Sequence, residues 1–447
     1  MLGVVITPLP TREGPGGGSA CKNTKQKKAP MKRTILCITA MLLCIGASAI
    51  DIKFLKKDRA DIDGIFYQFN AKKETATVIR HPEGYNGDII IPEKVEKDSL
   101  TFYVEEIGSG AFADCVGVTS VEIPRTVEAI GAGAFSGCSS LTSVTIPDAI
   151  TVLPDNLFRD CASLTEVNLP AGTKKIGSGL LRGCKSLESF TFPSTLSEIP
   201  SNTFTGCSNL IYVSIPVSVQ KIGSEAFSEC SSMEAIEIPT GVKDIGSAAF
   251  RGCTSLRHFS FPGSIKEIDD NMFRDCASLT SISIPNSVKE IEHDAFRDCH
   301  SLDSIALPNS LQKVGSSVFE GCGSLRTITL PVSLKEISSE MFQDCSSLTA
   351  IKLPNAVKKI GSSAFEGCAS LAEITIPVSV KEIGGSAFDK CATLMDVYVL
   401  GVTPVKISGS TFSKATEKEG TLHVKSSAKN GYMTDKQWRR FLTIEGM

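Results

Sequence analysis

Along residues 108–415 the apolar positions recur with a period of 23, with neither a plain strand nor a helix repeat sustained over any long stretch. Taking a cysteine as position zero, the unit reads C-x-S-L-x-x-[VI]-x-[IL]-P-x-[ST]-[VL]-x-x-I-G-x-x-A-F-x-[GD]. CSSLTSVTIPDAITVLPDNLFRD from Cys138 and CASLAEITIPVSVKEIGGSAFDK from Cys368 are two copies. Within a unit, +6 and +8 (Ile374 and Ile376) alternate with polar neighbours, the pattern of a short strand with one buried face. Proline at +9 ends that strand, because it offers no amide hydrogen to a ladder. A second short apolar pair follows (Val380, Ile383), then a glycine turn (Gly384). Closure through Ala387-Phe388 predicts a helical or 3-10 turn on the far side.

Thirteen cysteines, Cys115 to Cys391, keep the 23-residue register without a slip. Phenylalanine stands three residues before twelve of them, from Phe112 to Phe388, with Leu181 the one substitute. Pro124 to Pro377 follow the first twelve at +9. One unit cannot bury its own apolar residues, but stacked copies can. At about 4.8 Å per strand spacing, twelve steps make a body on the order of 60 Å long. Equivalent residues then form ladders through one continuous core.

The thirteen cysteines occupy one structural position, unlike the varied spacings of a disulfide framework. A metal site needs converging ligands at several corners, and rung-to-rung disulfides would leave one thiol over. The ladder is therefore read as inert buried thiols. In the coil of Cys184, Leu181 is accompanied by Phe190 and Phe192 at +6 and +8, a swap that conserves core volume. The coil of Cys253 has Phe259 and Phe261 yet keeps Phe250.

Both ends depart from the unit, as exposed end coils require. Residues 50–107 read as an N-terminal β cap: DGIFYQFN and ATVIRHPEGYNGDIIIP alternate as hairpin strands, with Asn86-Gly87 a turn signal. Pro92 and Cys115 lie 23 apart where interior coils place 14, so the first coil carries a nine-residue insertion around Lys97 to Val104. Phe412 lies 24 after Phe388 in a last coil without its cysteine. Residues 416–447 read as a C-terminal cap, with Trp438 and Phe441 on a helix over that coil.

The formal charge of −3, close to neutral for this length, argues against a nucleic-acid binder, which needs a basic stripe to neutralise phosphates. Residues 31–49, MKRTILCITAMLLCIGASA, read as a secretory signal peptide, with Lys32 and Arg33 before a short apolar run and Ala47-Ser48-Ala49 as the cleavage site. That run is too short to span a bilayer, which takes about 20 residues. Residues 1–30, rich in Gly, Lys and Pro, read as a disordered leader or a mis-started frame, with Met31 the true start. A lipid anchor at Cys44 competes, but Leu43 stands where such signals place a small residue. The chain is thus expected to be exported, to the periplasm, the cell surface or the medium.

The unit L-x-x-[VI]-x-[IL]-P-x-[ST]-[VL]-x-x-I-G-x-x-A-F-x-x-C resembles the BspA-like leucine-rich repeats of secreted and surface proteins in Bacteroides-type bacteria. The resemblance covers about residues 108–415 in thirteen copies, and the flanks DGIFYQFN…YNGDIIIP and LHVKSSAKNGYMTDKQWRRF are similar to those of Bacteroidales members. It implies a right-handed leucine-rich-repeat solenoid, β-rich with short parallel strands, and an adhesin-like role toward host or bacterial partners such as extracellular-matrix proteins. It brings no catalytic motif.

Positions +5 and +7 flank the buried +6 and are mostly hydroxyl residues, among them Ser120, Ser143, Thr145, Ser189, Thr191, Ser281, Ser283, Thr327 and Thr329. They read as a soluble β face or as a polar face for an extended glycan or peptide. One stretch is richer: Tyr212, Glu234, Glu237, Arg257 and His258 fall on three successive coils at +4 to +7. Tyrosine and arginine are frequent binding hot spots, which makes these five the candidate binding face. Glu122, Glu166 and Glu188 tint the first half acidic. The arginines at −2 (Arg159, Arg182, Arg251, Arg274, Arg297) and the Lys-Glu pairs near +13 and +14 read as solvated edges. The five histidines lack metal-ligand spacing, and no G-x-S-x-G, H-E-x-x-H or P-loop is present. The reading is a monomeric binding protein without catalysis or cofactor. A glycan-capture component of nutrient uptake and a structural spacer are the alternatives.

Overall fold

The structure, a computed structural model, describes residues 58–447. The expected leader (1–30) and signal peptide (31–49) lie outside the described residues. Positions +5 to +7 form three-residue parallel strands: Ser143–Thr145 on Glu166–Asn168, Ser189–Thr191 on Tyr212–Ser214, His258–Ser260 on Ser281–Ser283, and Ser304–Ala306 on Thr327–Thr329. Each residue pairs with its equivalent 23 later or earlier, so the +6 side chain always turns inward and +5 and +7 outward.

A second parallel ladder, not foreseen from the sequence, joins two-residue strands at +14 and +15. Glu198–Ile199, Lys221–Ile222 and Asp244–Ile245 are paired, as are Glu336–Ile337, Lys359–Ile360 and Glu382–Ile383. Two residues are too few for a periodic signal, and only the recurrent charged residue before a buried isoleucine marks them.

On the third side the expected helical or 3-10 turn takes the form of isolated turns. Between residues 108 and 412 no helix occurs. Instead, turns close by bonds such as Ala111 N–H to Gly108 O and Cys115 N–H to Phe112 O, while Phe112 N–H reaches Ala134 O of the next coil. Two residues per coil, at −5 and −1, take left-handed φ, for example Asn271 at 57° and Asp275 at 62°. Such residues break a helix but let alternate amides point along the stack. They explain the Gly/Asp preference at −1, since both tolerate this region. At Gly183 (φ 74°) an added Cβ would lie 2.3 Å from Asp160 Oδ1 of the coil before. Gly384, at +16, has ordinary φ but would bring a Cβ to 2.4 Å from the Ser362 amide nitrogen, so close backbone approach selects it.

The core is a stack of rings. From Phe112 to Phe158, and again from Phe204 to Phe412, neighbouring rings lie 5.2–5.7 Å apart within 18° of parallel. Leu181 interrupts the stack, and Phe190 and Phe192 pack edge-on against Phe204 at 5.3 and 5.7 Å, as volume conservation predicts. Phe259 fits between Phe250 and Phe273 at 4.9 and 4.8 Å without displacing either from the stack.

The thirteen thiols are buried and unpaired by disulfides. They are not merely filler. From Cys138 to Cys391 each S–H donates to the carbonyl of the residue at −3 in the preceding coil, at 3.1–3.3 Å. In several coils serine or threonine at +11 stitches the other corner, with Ser310 Oγ donating to Val288 O at 2.8 Å and Ser333 Oγ to Leu311 O at 2.9 Å, whereas the buried Ser287 and Ser379 hydroxyls at the same position find no partner. Each bond of this neutral kind contributes about 0.5–1.5 kcal/mol.

At the N-terminal end, β1 (Arg59–Ile62), β2 (Ile65–Asn70) and β3 (Thr75–Val78) are antiparallel neighbours. The nine-residue insertion is a hairpin, β5 (Lys94–Lys97) on β6 (Leu100–Ile107), whose last residues continue the second ladder to Ala129–Ile130. The Asn86-Gly87 turn is corrected. Both lie in β4 (Asn86–Ile90), parallel to Gly117–Glu122, and Gly87 (φ 74°) sits at the register shift of a bulge. A bulge glycine and a turn glycine need the same left-handed backbone, so the dipeptide alone does not separate them. At the C-terminal end, Thr421–Val424 and Thr443–Gly446 extend the strand ladder by two more parallel rungs. Trp438, in a 3-10 turn at Trp438–Arg440, is fully buried against Phe412, Tyr432 and Phe441 and donates Nε1–H to Val405 O at 2.7 Å.

Candidate binding face

The strand ladder buries its +6 side chains and turns those at +4, +5 and +7 to one broad outer strip. The five candidate residues are all exposed on it. Tyr212 begins the strand paired with Ser189–Thr191, and His258 begins the strand paired with Ser281–Ser283. Between them Glu234–Glu237 belong to no strand, although Arg257 N–H still reaches Glu234 O at 3.1 Å. Tyr212, at 60% exposure, is the large aromatic of this stretch, and Ile211 beside it is 55% exposed. The surroundings of the five are thus an aromatic–aliphatic pair next to two carboxylates, a guanidinium and an imidazole on successive rungs. Glu122, Glu166 and Glu188 are likewise exposed.

The strip holds two features that the sequence reading did not single out. Near its N-terminal end a groove of about 790 Å³ is lined by Ser120, Ser143, Thr145 and Glu122 together with Arg125 and Asp148. The last two stand at +10, past the proline, where the chain varies most and no pattern draws attention. Near its C-terminal end Tyr398 and His423 stack at 4.4 Å and 12°. His423 Nε2 lies 2.8 Å from Asp396 Oδ1 and Nδ1 3.9 Å from Glu445 Oε2. Tyr398 is at +7 of its coil, but His423 belongs to the irregular tail, so spacing alone did not bring them together.

Elsewhere the charged columns are tied to structure. Arg297 reaches Glu320 at 2.7 Å and Asp294 at 3.2 Å, and both ends of these pairs are half-buried, so at this coil the edge is not the solvated one expected. Along +14, ion pairs run from coil to coil: Lys221 to Asp244 at 3.0 Å, Lys359 to Glu336 at 2.9 Å and Lys406 to Glu382 at 2.9 Å. Glu267, Glu290 and Glu292 crowd together, and Lys313 Nζ, 2.5 Å from Glu292 and 3.7 Å from Glu290, supplies their counter-charge. Next to them Asp269 stands where most coils have glycine. Burial, then the carboxylates of Glu267, Asp244 and Asp270, push its pKa up to about 6. Among the described residues no helix is long and apolar enough to cross a membrane.

Two solved structures are similar to this one. A leucine-rich repeat protein from Bacteroides ovatus is 26% identical over 87% of this chain and 99% of its own, with a TM-score of 0.64. A leucine-rich cell surface protein from Faecalibacterium prausnitzii is 28% identical over 79% of this chain and 95% of its own, with a TM-score of 0.57. No curated protein matches the chain in sequence. The pattern of the BspA-type leucine-rich repeat region matches residues 94–211, 174–302 and 266–395. Ring stack, thiol ladder and strand ladder are the physical content of that pattern, and the chain belongs to the BspA-type leucine-rich repeat family.

Proposed function

We propose that the protein is an exported, surface-displayed binding protein of adhesin type. In this reading a monomeric solenoid captures a protein ligand of host or microbial surfaces, an extracellular-matrix protein being the class to test first. The observation that carries it is the exposure of Tyr212, Glu234, Glu237, Arg257 and His258 on three successive coils of a face whose neighbours are mostly Ser and Thr. Departures from a Ser/Thr background on an exposed strip offer the distinct side chains that recognition requires, and Tyr and Arg are enriched among the residues that dominate binding energy at interfaces. The description of the Faecalibacterium relative as a cell surface protein supports display. Binding, rather than catalysis, suits side chains spread along a strip with no converging nucleophile, base and oxyanion donors.

Matrix-protein and glycan arrays probed with the purified chain test this. Selective matrix-protein binding that weakens on Tyr212→Ala is expected. Selective neutral-glycan binding lost on Tyr212→Ala would replace the adhesin reading with glycan capture, and silence on both arrays would leave a spacer.

A further inference from the structure

A second surface, independent of the strand strip, lies along the two-residue ladder. Lys335, Lys358 and Lys381 occupy +13 of three consecutive coils, all exposed. Their backbones are locked in register, with Lys358 N–H to Lys335 O at 2.7 Å and Lys381 N–H to Lys358 O at 2.9 Å. None of the three has an ion-pair partner among the described residues. The nearby acids Glu336 and Glu382 are already engaged by Lys359 and Lys406. From Lys335 to Lys406 this stripe therefore carries five lysines against two glutamates, a local net of +3 on a chain whose formal charge is −3. The turn preceding the lysines presents Val332, Asn355 and Val378, none of them acidic.

The stripe opens upstream into a groove of about 490 Å³ lined by Lys313, Lys335, Lys359, Gln312, His293 and serine hydroxyls, with one carboxylate, Glu336, neutralised by Lys359. His293 Nδ1 accepts the Ser316 amide at 3.0 Å, which leaves its Nε2 as an N–H donor. At about 4.8 Å per rung the three lysines follow one another at a regular backbone interval, and a partner matching them is linear with anions at short regular intervals. The +10, +13 and +14 columns of these coils hold no aromatic side chain on which nucleobases would stack. Lysine ammoniums and hydroxyls suit oxyanions that only accept hydrogen bonds. We propose that this lysine stripe binds a linear sulfated polysaccharide.

The test uses the full chain and a fluorescent heparin oligosaccharide, with its desulfated form, a single-stranded oligonucleotide and polyglutamate as competitors. Two triple variants are compared, Lys335→Gln/Lys358→Gln/Lys381→Gln and, at equal charge change at the N-terminal end, Lys72→Gln/Lys73→Gln/Lys94→Gln. The stripe triple is expected to weaken heparin binding about tenfold or more and to flatten its salt dependence, while the second triple changes it less than about twofold. Arginine at the three stripe positions should retain binding, which separates loss of charge from loss of fold. Absence of heparin binding, equal weakening by both triples, or competition by desulfated chains, oligonucleotide or polyglutamate as effective as heparin itself would overturn the proposal.

Discussion

Phe296→Ala is the perturbation that most directly probes the ring stack. Phe296 is fully buried, lying 5.5 Å from Phe273 at 1° and 5.7 Å from Phe319 at 4°. Truncation removes a ring from a column that cannot collapse, because the rungs on either side are pinned by backbone bonds such as Phe273 N–H to Ala295 O and Phe296 N–H to Val318 O. The transfer and cavity costs together come to about 3–5 kcal/mol. In a repeat protein that cost stays near its coil, because coils touch only their neighbours. Native-state hydrogen exchange should therefore show the amides of residues 270–322 opening more easily by about 3–5 kcal/mol, with those near Phe135 unaffected. A local change below about 1 kcal/mol would refute the claim that the phenylalanine column bears the load there, since so small a loss is that of a surface residue.

Further outcomes concern thiols, acid and cap. Native thiols should resist a disulfide reagent and react after denaturation; denatured, unreduced protein with almost no free thiol would contradict the ladder. Burial pushes the Cys253 thiol up to about 12 from an ordinary 9.0 and shifts its neighbours the same way. The folded state keeps these protons longer than the unfolded state, so the Cys253 contribution to stability is complete below pH 9 and is lost as pH rises toward about 12, its neighbours acting in the same direction. A thermal midpoint that climbs over that interval would oppose it. With the Asp269 pKa raised to about 6, its charged form is the unfavourable one, so Asp269→Asn should raise the melting temperature at pH 7 and leave it unchanged near pH 3. A stabilisation equal at both pH values would exclude titration as the cause. Trp438, the only tryptophan, should emit as a buried indole and red-shift when the C-terminal rungs open. An exposed-type emission from the native chain would deny the cap packing.

The fold was legible wherever a position repeats. Phe296, Cys299 and Ile305 stand in columns whose period alone implies stacking, and even the Leu181 exception could be matched to Phe190 and Phe192 by volume. What stayed hidden was shorter than a pattern. The strand pair at Glu336–Ile337 is two residues long, and the left-handed Asp275 shows only as a Gly/Asp preference without a stated hand. The bond from each cysteine to the coil before it depends on side-chain direction, which spacing does not encode. The tail strands Thr421–Val424 and Thr443–Gly446 lie beyond the last cysteine, where the register that makes this chain readable has ended. The proposed binding face is legible as an exposed location, because a regular scaffold makes irregular residues conspicuous. Its chemistry was less so: Arg125 and Asp148 stand past the proline where variation is ordinary, and the free lysines at +13 separate from the paired charges at +14 only once the ion pairs are seen.

Hydroxyl-radical footprinting of the chain, free and bound to the matrix protein selected on the array, tests the strand-strip reading most directly. Tyr212 and His258 are both exposed and reactive, and Tyr103, 50% exposed on the N-terminal hairpin, provides an internal reference. Strong protection of Tyr212 and His258 with Tyr103 unchanged is the predicted result. Protection of Tyr103 with Tyr212 and His258 left open would place recognition on the N-terminal end and contradict it.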